Sequence, residues 1–323
     1  MSFAACNIIL YNTILPAMMQ SLTTRDYVEE FCKLDFHDRE ELGNDLMVNK
    51  FGYFMFDVRK LDIVETLISH LLSNPYKAKK IYIFGNYSVV CAILEKLIEN
   101  GLHLQVIMLD IEINIWDNVI ISWELLSNFT KLKFLNVDDS NGIGSNKFIP
   151  DITAHLPAGL EALSIVNMLD YNEPFSPQIV ESNLKVIKIG VMNKWNQPLM
   201  GLPTGLETLI IKSGEFNQRM ENLPGGLKHL ILLSWKFTMP LDRLPHGLEY
   251  FAGLHFPSLN YLLGNYDKEL TNLPSSIKSV LLDKNLFEKQ GETLKSIYPE
   301  CQIKCYNFRS FEFIMMDLLE WMV

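Results

Sequence analysis

An α/β solenoid is the fold class the sequence predicts, and three observations predict it. First, one phrase is spoken three times, Leu202-Pro203-Thr204-Gly205-Leu206, Leu223-Pro224-Gly225-Gly226-Leu227 and Leu244-Pro245-His246-Gly247-Leu248, with the prolines 21 residues apart. Second, each phrase opens the same apolar run: Leu206, Leu209 and Ile211, then Leu227, Leu230 and Leu232. Third, an aromatic-polar segment returns ahead of each phrase, as Trp195-Asn196-Gln197-Pro198-Leu199, Phe216-Asn217-Gln218-Arg219-Met220 and Phe237-Thr238-Met239-Pro240-Leu241. A period of about 20 to 30 residues belongs to stacked repeats, because so small a unit must close its apolar face against its neighbours.

The run Leu-x-x-Leu-x-Leu is the strand of a leucine-rich repeat. Its leucines point into the solenoid, the residues between them alternate outward, and successive strands pair in parallel to line a concave sheet. The aromatic fills the back of the core, and the Asn bonds the backbone of a non-helical turn. Together these phrases resemble the FNIP repeat, a leucine-rich-repeat variant named for a Phe-Asn-Ile-Pro core. The match is closest over residues 195–254. The resemblance implies a protein-binding role without catalysis, and it points to slime-mould and giant-virus proteins, in which such repeats often follow an F-box.

Taken in order, residues 1–50 lack the repeat. Thr23 followed by Asp26 reads as a helix start, with Tyr27, Val28, Phe31 and Cys32 on one side of the helix. A helical cap over the first repeat is the expected role; a degenerate F-box, entered at Leu15-Pro16, is the second reading. The solenoid proper spans 51–306. Strands are expected at Tyr53 to Phe56, Ile81 to Phe84, Leu104 to Leu109 and from Leu132, with helices at Leu61 to Leu72 and Val89 to Glu99. Trp116 to Phe129 reads as helical or irregular. From about residue 156, where Leu156-Pro157-Ala158-Gly159-Leu160 brings in the signature, the units shorten and turn FNIP-like, too short for an outer helix. Thus helices back the N-terminal half of a horseshoe of about ten repeats, and irregular connections back the C-terminal half. About eight residues are inserted near His255 to Leu263, and a last strand falls at Ile303 to Tyr306. Residues 307–323 carry Phe311, Ile314, Met315, Leu318, Leu319 and Met322 at helical spacing, a C-terminal capping helix or a docking helix for a partner.

Composition narrows the function. The chain has 323 residues, 48% hydrophobic, and a net charge of −10. Residues 1–75 hold 6 basic against 11 acidic side chains, while 201–260 balance at 5 of each. No basic stripe is present to displace counterions, which argues against nucleic acid, and Lys77, Lys79 and Lys80 read as a solvated run. The apolar start from Phe3 to Met19 is interrupted by Asn7, Asn12, Thr13 and Pro16, so neither a signal peptide nor a membrane span is expected. Five scattered cysteines fit a reduced, cytoplasmic setting: host cytoplasm or virion, were the chain viral.

The sequence nominates no catalytic, metal-ligating or cofactor-binding residue. His37, His70, His103, His155, His229, His246 and His255 form no metal spacing, and Cys301 and Cys305 lack a second pair of ligands. Gly142-Ile143-Gly144-Ser145-Asn146-Lys147 runs into Phe148-Ile149-Pro150 rather than into the helix a phosphate loop requires. What remains is the concave face: Thr208, Ile210, Lys212, then His229, Ile231, Leu233, then Tyr250, Ala252, Leu254. Five of these nine are large and apolar on a face expected to meet water, which marks a partner-binding surface. The competing expectation is that the inserted loop or the C-terminal tail folds over it. The function expected is a non-catalytic module that binds a protein partner, in one version an adaptor recruiting a ubiquitin-ligase scaffold, in another a structural or virion component. Self-association is open to it, through the apolar face or the tail.

Overall fold

The computed structural model describes residues 47–48, 54–57, 62–73, 75–115, 122–139, 152–168, 171–192, 194–253 and 266–306. The expected F-box or cap, the Gly142–Lys147 loop, the insertion and the C-terminal helix lie outside these residues.

The described chain builds one sheet of twelve strands in which spatial order equals sequence order. The strands are β1 (Met47–Val48), β2 (Phe54–Asp57), β3 (Lys80–Asn86), β4 (Met108–Ile115), β5 (Phe134–Asp139), β6 (Ala162–Val166), β7 (Val186–Met192), β8 (Thr208–Ser213), β9 (His229–Leu233), β10 (Tyr250–Gly253), β11 (Ser279–Asp283) and β12 (Gln302–Tyr306). β1 pairs antiparallel with β2, and every later pairing is parallel. Sequential parallel strands, each returning over the same side, form the leucine-rich-repeat solenoid the spacing predicts.

Alternation along each strand drives the burial. Leu209, Leu230 and Phe251 face one another in register, as do Ile211 and Leu232, and all five are fully buried. The turn leucines Leu206, Leu227 and Leu248 are buried in the same continuous core. Each Leu-Pro turn closes by one hydrogen bond: the N–H of Leu206 donates to the carbonyl of Pro203, that of Leu227 to Pro224 and that of Leu248 to Pro245, each at 3.1 Å. The glycine just before the leucine sits close to neighbouring backbone at Gly159 and Gly247, where an added Cβ would stand 3.2 Å from the carbonyl oxygens of Thr130 and Gly225.

The back of the core is made in two ways. Behind β2 and β3 lie α1 (Asp62–Ser73) and α2 (Tyr87–Glu99), close to the expected helices. Asn86 caps α2, its side chain accepting from the N–H of Val89 at 2.9 Å, while Val89, Val90, Ile93, Leu94 and Leu97 face inward. Further on, the backs are 3-10 turns: Trp123–Asn128, Ile152–His155 and Pro177–Glu181. The aromatics of the later repeats form a column, Phe175, Trp195, Phe216, Phe237 and Tyr266, with ring centres 5.5 to 6.2 Å apart. Beside it runs an asparagine ladder. Asn172 Oδ1 accepts from the N–H of Asn196, Asn196 Oδ1 from that of Asn217, and Asn217 Oδ1 from that of Thr238.

Two local expectations are corrected. Leu104 is exposed in a 3-10 turn, and β4 begins only at Met108. The chain leaves α2 through Gly101 in the left-handed conformation, so Leu102 and Val106 turn inward and Leu104 points out. The connection from β11 to β12 is not irregular: it is α3 (Lys284–Ile297), started by Asp283 accepting from the N–H groups of Asn285 and Leu286.

Candidate interaction surface

The face opposite the core carries the alternate residues of every strand. One row runs Met108, Phe134, Ala162, Val186, Thr208, His229, Tyr250 and Ser279; the next runs Tyr82, Asp110, Asn136, Ser164, Lys188, Ile210, Ile231, Ala252 and Leu281. The nominated residues therefore come together in register, Thr208 beside His229 beside Tyr250, Ile210 beside Ile231 beside Ala252, and Lys212 beside Leu233. Leu254 lies outside the described residues.

Their exposure differs from expectation. Ile210 is 0% exposed, Ile231 and Leu233 2%, Thr208 3%, Lys212 5% and Tyr250 8%; His229 alone among the nominated residues described is half-buried. None belongs to the core beneath the sheet. They form a second water-free layer on its other side. From β8 to β11 the middle row is Ile, Ile, Ala and Leu, apolar groups whose removal from water is favourable, whereas Lys188 on β7 is buried beside them at a desolvation cost that the attraction of Asp138 and Asp110 offsets in part. The competing expectation of a covering loop or tail falls on residues 254–265 and 307–323, outside the described residues.

Over β3 and β4 the same face is half-exposed, and sequence reasoning passed it by. Tyr82, Phe84, Met108, Asp110 and Glu112 are all partly accessible. The signal was present in the alternation of Lys80, Tyr82 and Phe84 along β3, whose burial alternates residue by residue. Here polar side chains bond across strands. Tyr82 Oη donates to Glu112 Oε2 at 2.5 Å, Asn136 Nδ2 to Asp110 Oδ1 at 2.8 Å, and Asn167 Nδ2 to Asp138 Oδ1 at 2.7 Å. Burial pushes the Asp138 carboxyl up to about 6, against the Asn167 hydrogen bond, which favours its charged form. Burial likewise pulls Lys188 down to about 8, with the attraction of Asp138 and Asp110 working the other way. In the C-terminal half, Thr208 Oγ1 and His229 Nδ1 stand 3.0 Å apart, and burial lowers the His229 pKa.

Among the described residues no group of three or more His, Cys, Asp or Glu side chains is placed to hold a metal ion. No described helix is long and apolar enough to cross a membrane. Cys301 is half-buried with its thiol pushed up to about 11 by burial, and Cys305 is exposed.

No protein-family model matches the chain, and neither does any curated protein. Among solved structures, the crystal structure of CroV588, described as a novel circular leucine-rich-repeat protein, is similar with 19% identity and a TM-score of 0.39, over 64% of this chain and 30% of that one. The chain thus spans less than a third of that structure. Its own eleven consecutive parallel strands, with leucine or another large apolar residue inward at each step from β3 on, make this chain a leucine-rich-repeat solenoid.

Proposed function

We propose that the chain is a non-catalytic protein-interaction module that holds a protein partner on the face of the sheet opposite its core. The observation that supports this most is the second layer itself. The core beneath the sheet closes without Ile210, Ile231, Leu233 or Tyr250, and these groups add a second apolar layer on the face where the partly accessible Tyr82, Phe84 and Met108 also lie. A partner reaches Tyr82, Phe84 and Met108 as they stand, and Thr208, Ile210, Lys212, His229, Ile231, Leu233 and Tyr250 continue the same face in register, with the nominated Leu254 outside the described residues.

The specific version is an adaptor of FNIP-repeat type, as in slime-mould and giant-virus proteins, whose N-terminal residues recruit a ubiquitin-ligase scaffold in the host cytoplasm. Its rival is a structural or assembly component, such as part of a virion. Affinity purification from the native cell, followed by direct binding of the recovered partner, tests both. Alanine at Tyr82 and Phe84 is expected to weaken that binding about tenfold with the fold intact. Unchanged binding by this variant and by one cut at Tyr250 and Ile231 removes the face from consideration. Recovery of a ligase scaffold through residues 1–50 selects the adaptor; recovery of only capsid or assembly proteins selects the rival.

A further inference from the structure

A line of charge runs along the edge of the sheet where the strands of β5 to β11 begin. The residue that follows the first leucine of these repeats, or Ile277 in the last, is, in order, Lys133, Glu161, Lys185, Glu207, Lys228, Glu249 and Lys278, a strict alternation of sign. The backbone holds these seven side by side, because each N–H after the first donates to the carbonyl of the previous member at 2.8 to 2.9 Å. Every acid in the line meets a lysine of an adjoining repeat. Glu161 binds Lys133 at 2.7 Å and Lys185 at 3.3 Å, Glu207 binds Lys228 at 2.7 Å, and Glu249 binds Lys278 at 2.8 Å. Glu161 feels it most: although burial pulls its pKa up, the two lysines hold it below its ordinary value.

We propose that this alternation is a neighbour code, which tells near-identical repeats which strand to pair with. The apolar pattern does so only weakly. Leu206 and Leu209 match Leu227 and Leu230 and also Leu248 and Phe251, so a strand that skips one repeat still finds apolar residues opposite its first two, although Gly253 stands where Ile211 and Leu232 do. The charges do discriminate. If β8 skips β9 and pairs with β10, Glu207 lands beside Glu249, and like charges directly opposite are unfavourable where unlike ones are favourable. The same penalty falls on a strand borrowed from a second copy one repeat out of step.

An alternating code has an unusual signature: removing two repeats preserves it, and removing one breaks it. Deleting residues 207–227 sets Lys185 beside Lys228, whereas deleting 207–248 sets Lys185 beside Glu249. The measurement is the fraction of full-length chain and of each deletion recovered as native monomer after dilution from urea, by size exclusion and circular dichroism. The larger deletion is expected to recover about threefold more monomer than the smaller, a gap that about 1 M salt closes because screening then acts within about 3 Å. In the undeleted chain, Glu207→Lys is expected to cost more recovery than Glu207→Gln, since it adds repulsion to the lost pair. Equal recovery of the two deletions, or a gap indifferent to salt, overturns the proposal. So does Glu207→Gln behaving as Glu207→Lys does, which remains readable even where a deletion fails to fold.

Discussion

The N-terminal and C-terminal repeats solve one problem with different materials. The starts of β2, β3, β4, β5 and β6, at Phe54, Lys80, Met108, Phe134 and Ala162, stand 26 to 28 residues apart, whereas those of β8, β9 and β10, at Thr208, His229 and Tyr250, stand 21 apart. The longer units have room for α1 and α2, whose inward residues such as Ile68, Leu71, Ile93 and Leu97 seal the core. In the shorter ones a ring and an amide do the work of a helix: Trp195, Phe216 and Phe237 seal the core, and Asn172, Asn196 and Asn217 satisfy the backbone. A helix satisfies its own hydrogen bonds and needs its neighbours only for packing. A turn backed by a ladder also needs them for its polar groups, so the C-terminal half should be the more sensitive to single cuts.

The largest expected effect tests this contrast. Phe216→Ala removes a ring stacked on both sides and should cost about 3–5 kcal/mol, against about 2–5 for Ile93→Ala in α2, by urea denaturation. A greater loss at Ile93 would break the comparison.

Acid should separate the halves next. The carboxyl of Asp138, on β5, sits at about 6 in the folded chain against 3.8 ordinarily, so the folded state takes up its proton first. Stability from this group is therefore absent above about pH 6 and grows as the pH falls toward 4, by up to about 3 kcal/mol. Asp138→Asn should flatten that stretch of the pH–stability curve, while Ile211→Val, a core change on β8, should leave its shape unchanged.

Asn196→Ala strands the N–H of Asn217, while the Gln218 amide keeps its bond to the Asn196 carbonyl, and should cost about 1–3 kcal/mol. The N-cap change Asn86→Ala in the helical half should cost only about 1. Smallest of all, Arg219→Ala cuts an exposed pair with Glu221 and should leave the thermal midpoint where it was.

Much of this was legible in the residues, because a parallel repeat writes its register into leucine spacing. Leu206, Leu227 and Leu248 stand in one core as the 21-residue period requires, and Phe216 and Asn217 take the places their chemistry suggests. α3 was hidden because the later connections around it are turns; its marks, Asp283 as a cap and Leu286 and Leu294 eight residues apart, are local and weak. The closure of the second face was hidden for a different reason. Ile210 and Ile231 look the same on paper whether they await a partner or are already dry, since alternation reports which side a residue takes and not what lies against it.

The stacked rings at the back of the later repeats carry a mechanical consequence. Each of Trp195, Phe216 and Phe237 leans on the ring before and the ring after, so peeling away a terminal unit uncovers its successor in an equivalent state. Pulled from the C-terminal side, once the longer units beyond β10 have come away, the units of β8, β9 and β10 should pay out in near-equal lengths, about 70 Å for each 21 residues, matched teeth in a force trace.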